Sequence, residues 1–113
     1  MFVVTTPENQ FKHMSVAELK AAMADNAPVV VDIRDLASFT QNHIPKAIHL
    51  TNDSLADFMR DADLDAPTVV CCYHGISSQQ AAQYLISQDF TDVYSLDGGF
   101  TEWQGLYPND TEN

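Results

Sequence analysis

Apolar and polar positions along this chain change period repeatedly, and each change marks an element. Ser15-Val-Ala-Glu18 has the form of a capping box, with Leu19 and Met23 following at helical spacing. This predicts a helix to about Asp25, broken at Asn26-Ala-Pro28. The run PVVVDIRD crowds β-branched residues into a short apolar stretch, the pattern of a strand buried on both faces. Asp35 is placed to cap a short helix ending near Gln41, and a second strand falls near Ala47–Leu50. Asn52, Asp53 or Ser54 can cap the helix SLADFMRDA. Pro67 introduces the strand TVVCC, and SSQQAAQYLISQ places Ala81, Tyr84 and Leu85 on one helical face. DVYSL reads as a fourth strand ending at Gly98-Gly99, and a last short helix carries Phe100 and Trp103 as core residues.

Strands alternating with helices across short connections imply parallel pairing through right-handed crossovers, with helices on both faces of the sheet. The expected class is therefore α/β. Ligands of such sheets bind beyond the carboxyl ends of the strands. That rule selects Asp32–Asp35, Thr51–Asp53, Cys72–Ser78 and Asp97–Gly99, with Cys72 at the centre of the edge.

Length and composition narrow the picture. The 113 residues, 45% apolar and 19% charged, suit one domain spanning residues 1–113, with the polar tail YPNDTEN expected to fray. The formal net charge is −11, with only Lys12, Lys20, Arg34, Lys46 and Arg60 as cations. A field of that sign repels nucleic acid and anionic membranes, so neither is expected as a partner. No leader peptide or spanning segment is read in the sequence. Cys71 and Cys72 are neighbours, too close for an unstrained disulfide, so free thiols in a reducing, cytoplasmic compartment are expected.

The loop Cys72-Tyr73-His74-Gly75-Ile76-Ser77-Ser78 offers chemistry. Gly75 permits a tight turn, and Ser77 or Ser78 is placed to cap the next helix. Backbone N–H groups curled over a helix start form an anion cradle, and a thiol held there is expected to titrate below its usual ~8.5. Cys72 is thus the candidate nucleophile, while Cys71, inside the strand, is expected to pack in the core. Adjacent cysteines do not match the paired ligand spacing of a zinc site, C-x-x-C is absent, and a papain-like cleft needs a longer chain.

Together, VVVDIRDLASFTQNHIPKAIHL, the cysteine loop before a helix, and SLDGGFTEW resemble the rhodanese homology domain over about His13 to Trp103. CYHGISS and HLTNDSLADFMRD look most like the family's single-domain bacterial thiosulfate sulfurtransferases. The resemblance implies a three-layer fold with a mostly parallel sheet of about five strands. It implies sulfur transfer from thiosulfate through a Cys72 persulfide to cyanide or to a dithiol such as thioredoxin. Tyr73, His74, Gly75, Ile76, Ser77 and Ser78 would hold the anionic group, and no metal or organic cofactor is implied. Phosphatases on this fold end a longer loop in arginine, whereas this chain has no Lys or Arg after Arg60. Gln79 stands where a lysine is expected by analogy, and Asn42 and Lys46 stand where the family pattern has glycine. Arg34 and Arg60 are the candidate supporting charges, although Asp32 or Asp35 and the acids of the 53–65 segment compete for them as ion-pair partners. A persulfide carrier fed by a protein donor is the alternative to the thiosulfate enzyme; a non-catalytic rhodanese-like module is disfavoured because the loop cysteine is present.

Overall fold

The computed structural model describes residues 10–25 and 27–113. Five strands and five helices alternate: β1 (Lys12–Met14), α1 (Val16–Asp25), β2 (Val29–Asp32), α2 (Leu36–Gln41), β3 (Ile48–His49), α3 (Leu55–Asp61), β4 (Thr68–Cys71), α4 (Ser77–Ser87), β5 (Val93–Leu96) and α5 (Gly99–Leu106). The strands form one sheet in the order β1-β5-β4-β2-β3, and every neighbouring pair is parallel. β4 lies in the middle and is buried along its length, which is why TVVC reads as an unbroken apolar run.

Strand alternation divides the core in two. Val30, Val69, Cys71 and Leu96 face one layer, with Val16 and Leu19 of α1 and Phe100 and Trp103 of α5. Val31, Val70 and Val93 face the other, with Ala82 and Leu85 of α4 and Leu55 and Phe58 of α3. No helix among the described residues is long and apolar enough to cross a membrane.

Two predicted caps form. The Glu18 N–H donates to Ser15 Oγ at 3.0 Å while Ser15 N–H donates to Glu18 Oε1 at 2.8 Å, and Asp35 accepts the Ser38 N–H at 3.0 Å. Ser54 stands at the N-cap of α3 but makes no side-chain cap bond; its hydroxyl accepts the Thr51 N–H at 2.9 Å. β1 is a further strand that hydrophobic patterning does not reveal, because Lys12 and His13 are exposed on an edge paired only with β5.

The C-terminal stretch is not frayed. His43 and Glu112 exchange both backbone hydrogen bonds, at 2.8 and 2.9 Å, and Trp103 Nε1 donates to the Asp110 carbonyl at 2.9 Å. Lys20 pairs with Asp110. Lys46 has φ of +68°, the left-handed region that glycine occupies freely, and its N–H donates to the Glu112 carboxylate at 2.9 Å. The tail therefore secures a turn in which a lysine adopts the left-handed conformation. Ending the chain at Leu106 is expected to cost about 2 kcal/mol in urea denaturation, from several lost hydrogen bonds at roughly 0.5–1.5 kcal/mol each; an unchanged midpoint would return the tail to the frayed state.

Candidate active site

β4 delivers the chain to the centre of the sheet's carboxyl edge, where Cys72 begins the loop into α4. Cys72 is only 3% exposed. Its Sγ accepts the N–H of Gly75 and the N–H of Ser78, each at 3.2 Å. This alters the expected capping. Neither Ser77 nor Ser78 caps α4; Ile76 holds the N-cap position without a side-chain bond, and the cysteine sulfur takes the second helical N–H in its place. Ser78 is fully buried, and its hydroxyl pairs with that of buried Ser95 on β5 at 2.7 Å.

The loop is held from behind by the start of α5. Phe100 N–H donates to the Cys72 carbonyl at 2.8 Å, and Thr101 N–H to the Tyr73 carbonyl at 3.0 Å. Gly99 permits this approach, since a Cβ there would lie 2.5 Å from the Tyr73 carbonyl oxygen. Gly75, at φ +87°, is equally constrained, with Gly98 N only 2.8 Å from where its Cβ would stand. Gln79 Nε2 donates to the Gly75 carbonyl at 2.9 Å. Because a planar trans peptide sends N–H and C=O in opposite directions, the N–H groups of Tyr73, His74 and Ile76 point away from these partners.

Burial alone would push the Cys72 thiol up; the Ser78 hydroxyl and the N–H groups of Ser78, Gly75 and His74 outweigh it and bring the thiol below its ordinary value. Cys71 goes the other way: burial, then the Asp32 carboxylate, push it well above the ordinary thiol value against the opposing pull of Arg34. The two adjacent thiols are therefore shifted in opposite directions, Cys72 toward the thiolate and Cys71 toward the thiol.

A matching family model covers residues 15–106 and describes a rhodanese-like domain. The chain belongs to the rhodanese family. Proteins named thiosulfate sulfurtransferase GlpE are similar to this rhodanese domain across most of both chains. The one from Pseudomonas syringae pv. syringae is 55% identical over 83% of this chain and 89% of its own. That from Pseudomonas entomophila is 54% identical over 91% and 94%. Among solved structures, a rhodanese-like domain from Anabaena aligns with a TM-score of 0.79 at 23% identity, covering 89% of this chain and 78% of that one. A rhodanese-like domain protein from Staphylococcus aureus aligns at 0.72 and 24%, covering 82% and 91%. These two likenesses concern the fold.

The remaining candidates separate. The Tyr73 hydroxyl donates to the Asp35 carboxylate and lies 3.1 Å from Ser38 Oγ, tying the loop to α2. His74 and Ser77 are exposed, and Ile76 is 74% exposed. Ser77 opens onto a cleft of about 690 Å³ that also includes Thr51, Asn52, Leu55 and Tyr84. Arg34 is buried and committed: its guanidinium binds Asp32 through contacts of 2.8–3.1 Å and donates to the Asn42 carbonyl at 2.7 Å. Arg60 does not stand near the catalytic edge. It is exposed, pairs with Asp57 and Asp61, and lies in the final turn of α3, which leads through residues 62–67 to Thr68, the first residue of β4. Helices of a parallel sheet run against the strands, so that turn lies at the amino edge. Patterning did not single out Ser95; the Ser78–Ser95 contact joins positions too far apart in sequence for any local signal. The supporting role of the Phe100 and Thr101 N–H groups had one signal, the paired glycines before them.

Two outcomes follow. Alkylation of Cys72 by iodoacetamide is expected to rise with pH with its midpoint below that of an ordinary free thiol, because the thiolate is the reactive form and its pKa is depressed; Cys71 stays unmodified in the folded protein, as peptide mapping will show. Asp32→Ala is expected to destabilise the fold by about 3–5 kcal/mol, since it strands the buried Arg34 charge, and chemical denaturation measures this.

Proposed function

We propose that this rhodanese domain is a thiosulfate sulfurtransferase working through a Cys72 persulfide. The observation that carries the reading is the Cys72 sulfur itself, nearly buried yet held by two N–H donors at 3.2 Å that favour its ionised form. The names of its relatives supply the donor. In the first transfer the Cys72 thiolate attacks the outer sulfur of thiosulfate. A Sγ–S bond forms, the S–S bond of thiosulfate breaks, and its electron pair leaves with sulfite. In the second, a thiophilic acceptor attacks the terminal persulfide sulfur and Cys72 departs as thiolate. Cyanide serves as acceptor in the assay, and a dithiol such as thioredoxin is the acceptor inside the cell, where a reducing cytoplasm keeps both thiols free. The loop N–H groups from Tyr73 to Ser78 hold the charge of the bound donor and of the persulfide. Residues 1–113 act as a single domain in this reading, and the cleft beside Ser77 gives the acceptor room.

A second reading is a persulfide relay fed by a protein donor. One observation favours it: the loop has no cation, Arg34 is spent on Asp32 and Arg60 lies at the opposite edge. Intact mass after thiosulfate addition separates the two. The enzyme predicts a gain of about one sulfur atom, ~32 Da, that survives Cys71→Ser and disappears in Cys72→Ser. No gain in reduced wild type would remove thiosulfate as donor and leave the relay.

A further inference from the structure

We propose that Gln79 is a positioning residue for sulfur transfer, aiming the Ile76 N–H at the group carried by Cys72 by holding the Gly75 carbonyl on the other side of their shared peptide. The inference rests on the reading of Cys72 as the sulfur-carrying nucleophile.

Gly75 precedes the N-cap Ile76, so its carbonyl lies outside the hydrogen-bond ladder of α4, and Gln79 supplies the third helical N–H, which has no acceptor four residues back within the helix. Here that N–H donates to the Ile76 carbonyl at 3.1 Å, and the Gln79 side chain takes the Gly75 carbonyl at 2.9 Å. The chain has no cis peptide among its described residues, so the Ile76 N–H points away from the Gln79 amide, on the side opposite the held carbonyl. The Gly75 and Ser78 N–H groups already bind Sγ, whereas those of Ile76 and Ser77 have no acceptor among the described residues. With those of Tyr73 and His74, they are the donors available to an outer sulfur or a sulfonate oxygen.

This peptide lacks a side chain on its first residue to oppose rotation. It follows a glycine at φ +87°, where rotation meets no side chain. A flip would replace an N–H with a carbonyl and turn a partial negative charge on the bound anion. Gln79 opposes the flip without adding charge, so the cradle relies on dipoles where a lysine would have supplied a cation.

Gln79→Met keeps the side-chain length and removes the donor; Gln83→Met, exposed further along α4, is the control. KM for thiosulfate, with cyanide as acceptor, is expected to rise about 5–10-fold in Gln79→Met, the effect of losing one hydrogen bond. The pH profile of Cys72 alkylation is expected to stay in place, because the Gly75 and Ser78 N–H groups belong to peptides Gln79 does not hold. Gln83→Met changes neither. An unchanged KM overturns the proposal. So does a joint shift of KM, alkylation profile and melting temperature, which would mark general loosening of the loop. Absence of turnover in wild type would instead remove thiosulfate as donor. The proposal then stands on the Ile76 amide resonance of protein loaded with inorganic polysulfide. That resonance should move on loading in wild type and move much less in Gln79→Met; equal shifts in both, or none in wild type, overturn it.

Discussion

A trans peptide cannot turn its N–H toward an anion without sending its carbonyl the opposite way. Every donor aimed at Cys72 therefore leaves an acceptor behind the loop, and a buried acceptor without a partner costs about 1–3 kcal/mol. The rhodanese fold meets that demand, from two directions, for the peptides that carry the Tyr73, His74 and Ile76 N–H groups. The N-terminus of α5 covers the Cys72 and Tyr73 carbonyls, and Gln79 covers that of Gly75. The chain of causes begins in the sequence pair Gly98-Gly99. Without a Cβ at position 99 the helix start reaches the loop, the carbonyls face outward, and the cradle faces the sulfur.

The thiolate is stabilised against two adverse terms, burial and a net charge of −11. Distance decides the second. At physiological salt, exposed carboxylates are screened over about 8 Å, while the Gly75 and Ser78 N–H groups act at 3.2 Å with almost no water between. Local dipoles therefore override the global field. Arg34 contributes little to the balance beside the sulfur, since its charge is matched by Asp32 inside the protein. Its work is architectural: it bridges the end of β2 to the carbonyl of Asn42 and stacks over the Phe100 ring at 4.1 Å, on the helix that supports the loop.

Much of this was legible in the sequence where local chemistry sufficed. Apolar runs located β2, β4 and β5, the alternation of elements gave parallel pairing, and Ser15 and Asp35 capped their helices as their spacing implied. Long-range events were not legible. β1 is polar and depends on β5 for its pairing, so hydrophobic periodicity cannot mark it. The tail looks disposable by composition, yet its backbone pairs with His43, and backbone donors are invisible in residue types. Ser77 and Ser78 looked like caps because nothing in the sequence states that a sulfur six residues back will claim the helix N–H. Arg60 reads as a candidate supporting charge because a one-dimensional pattern does not say which end of a crossover helix faces the site. Gln79 showed only as a missing charge, and its use as a carbonyl clamp needed coordinates.

The two thiols show how little separates a cysteine that holds its proton from one that gives it up. Successive strand residues face opposite sides of a sheet. Cys71 ends β4 in register with Asp32 and lies in the layer beneath α1 and α5, where burial and a carboxylate both hold the proton on. One residue later the chain has left the sheet, and the sulfur meets the start of α4, where N–H groups draw the proton off. The same side chain thus shifts in opposite directions at adjacent positions. The sign is set by whether the strand ends before or after it. Extending β4 by one residue would take Cys72 out of the cradle, and the close approach of Gly75 to the Leu96–Gly98 backbone leaves the loop no room for a side chain there.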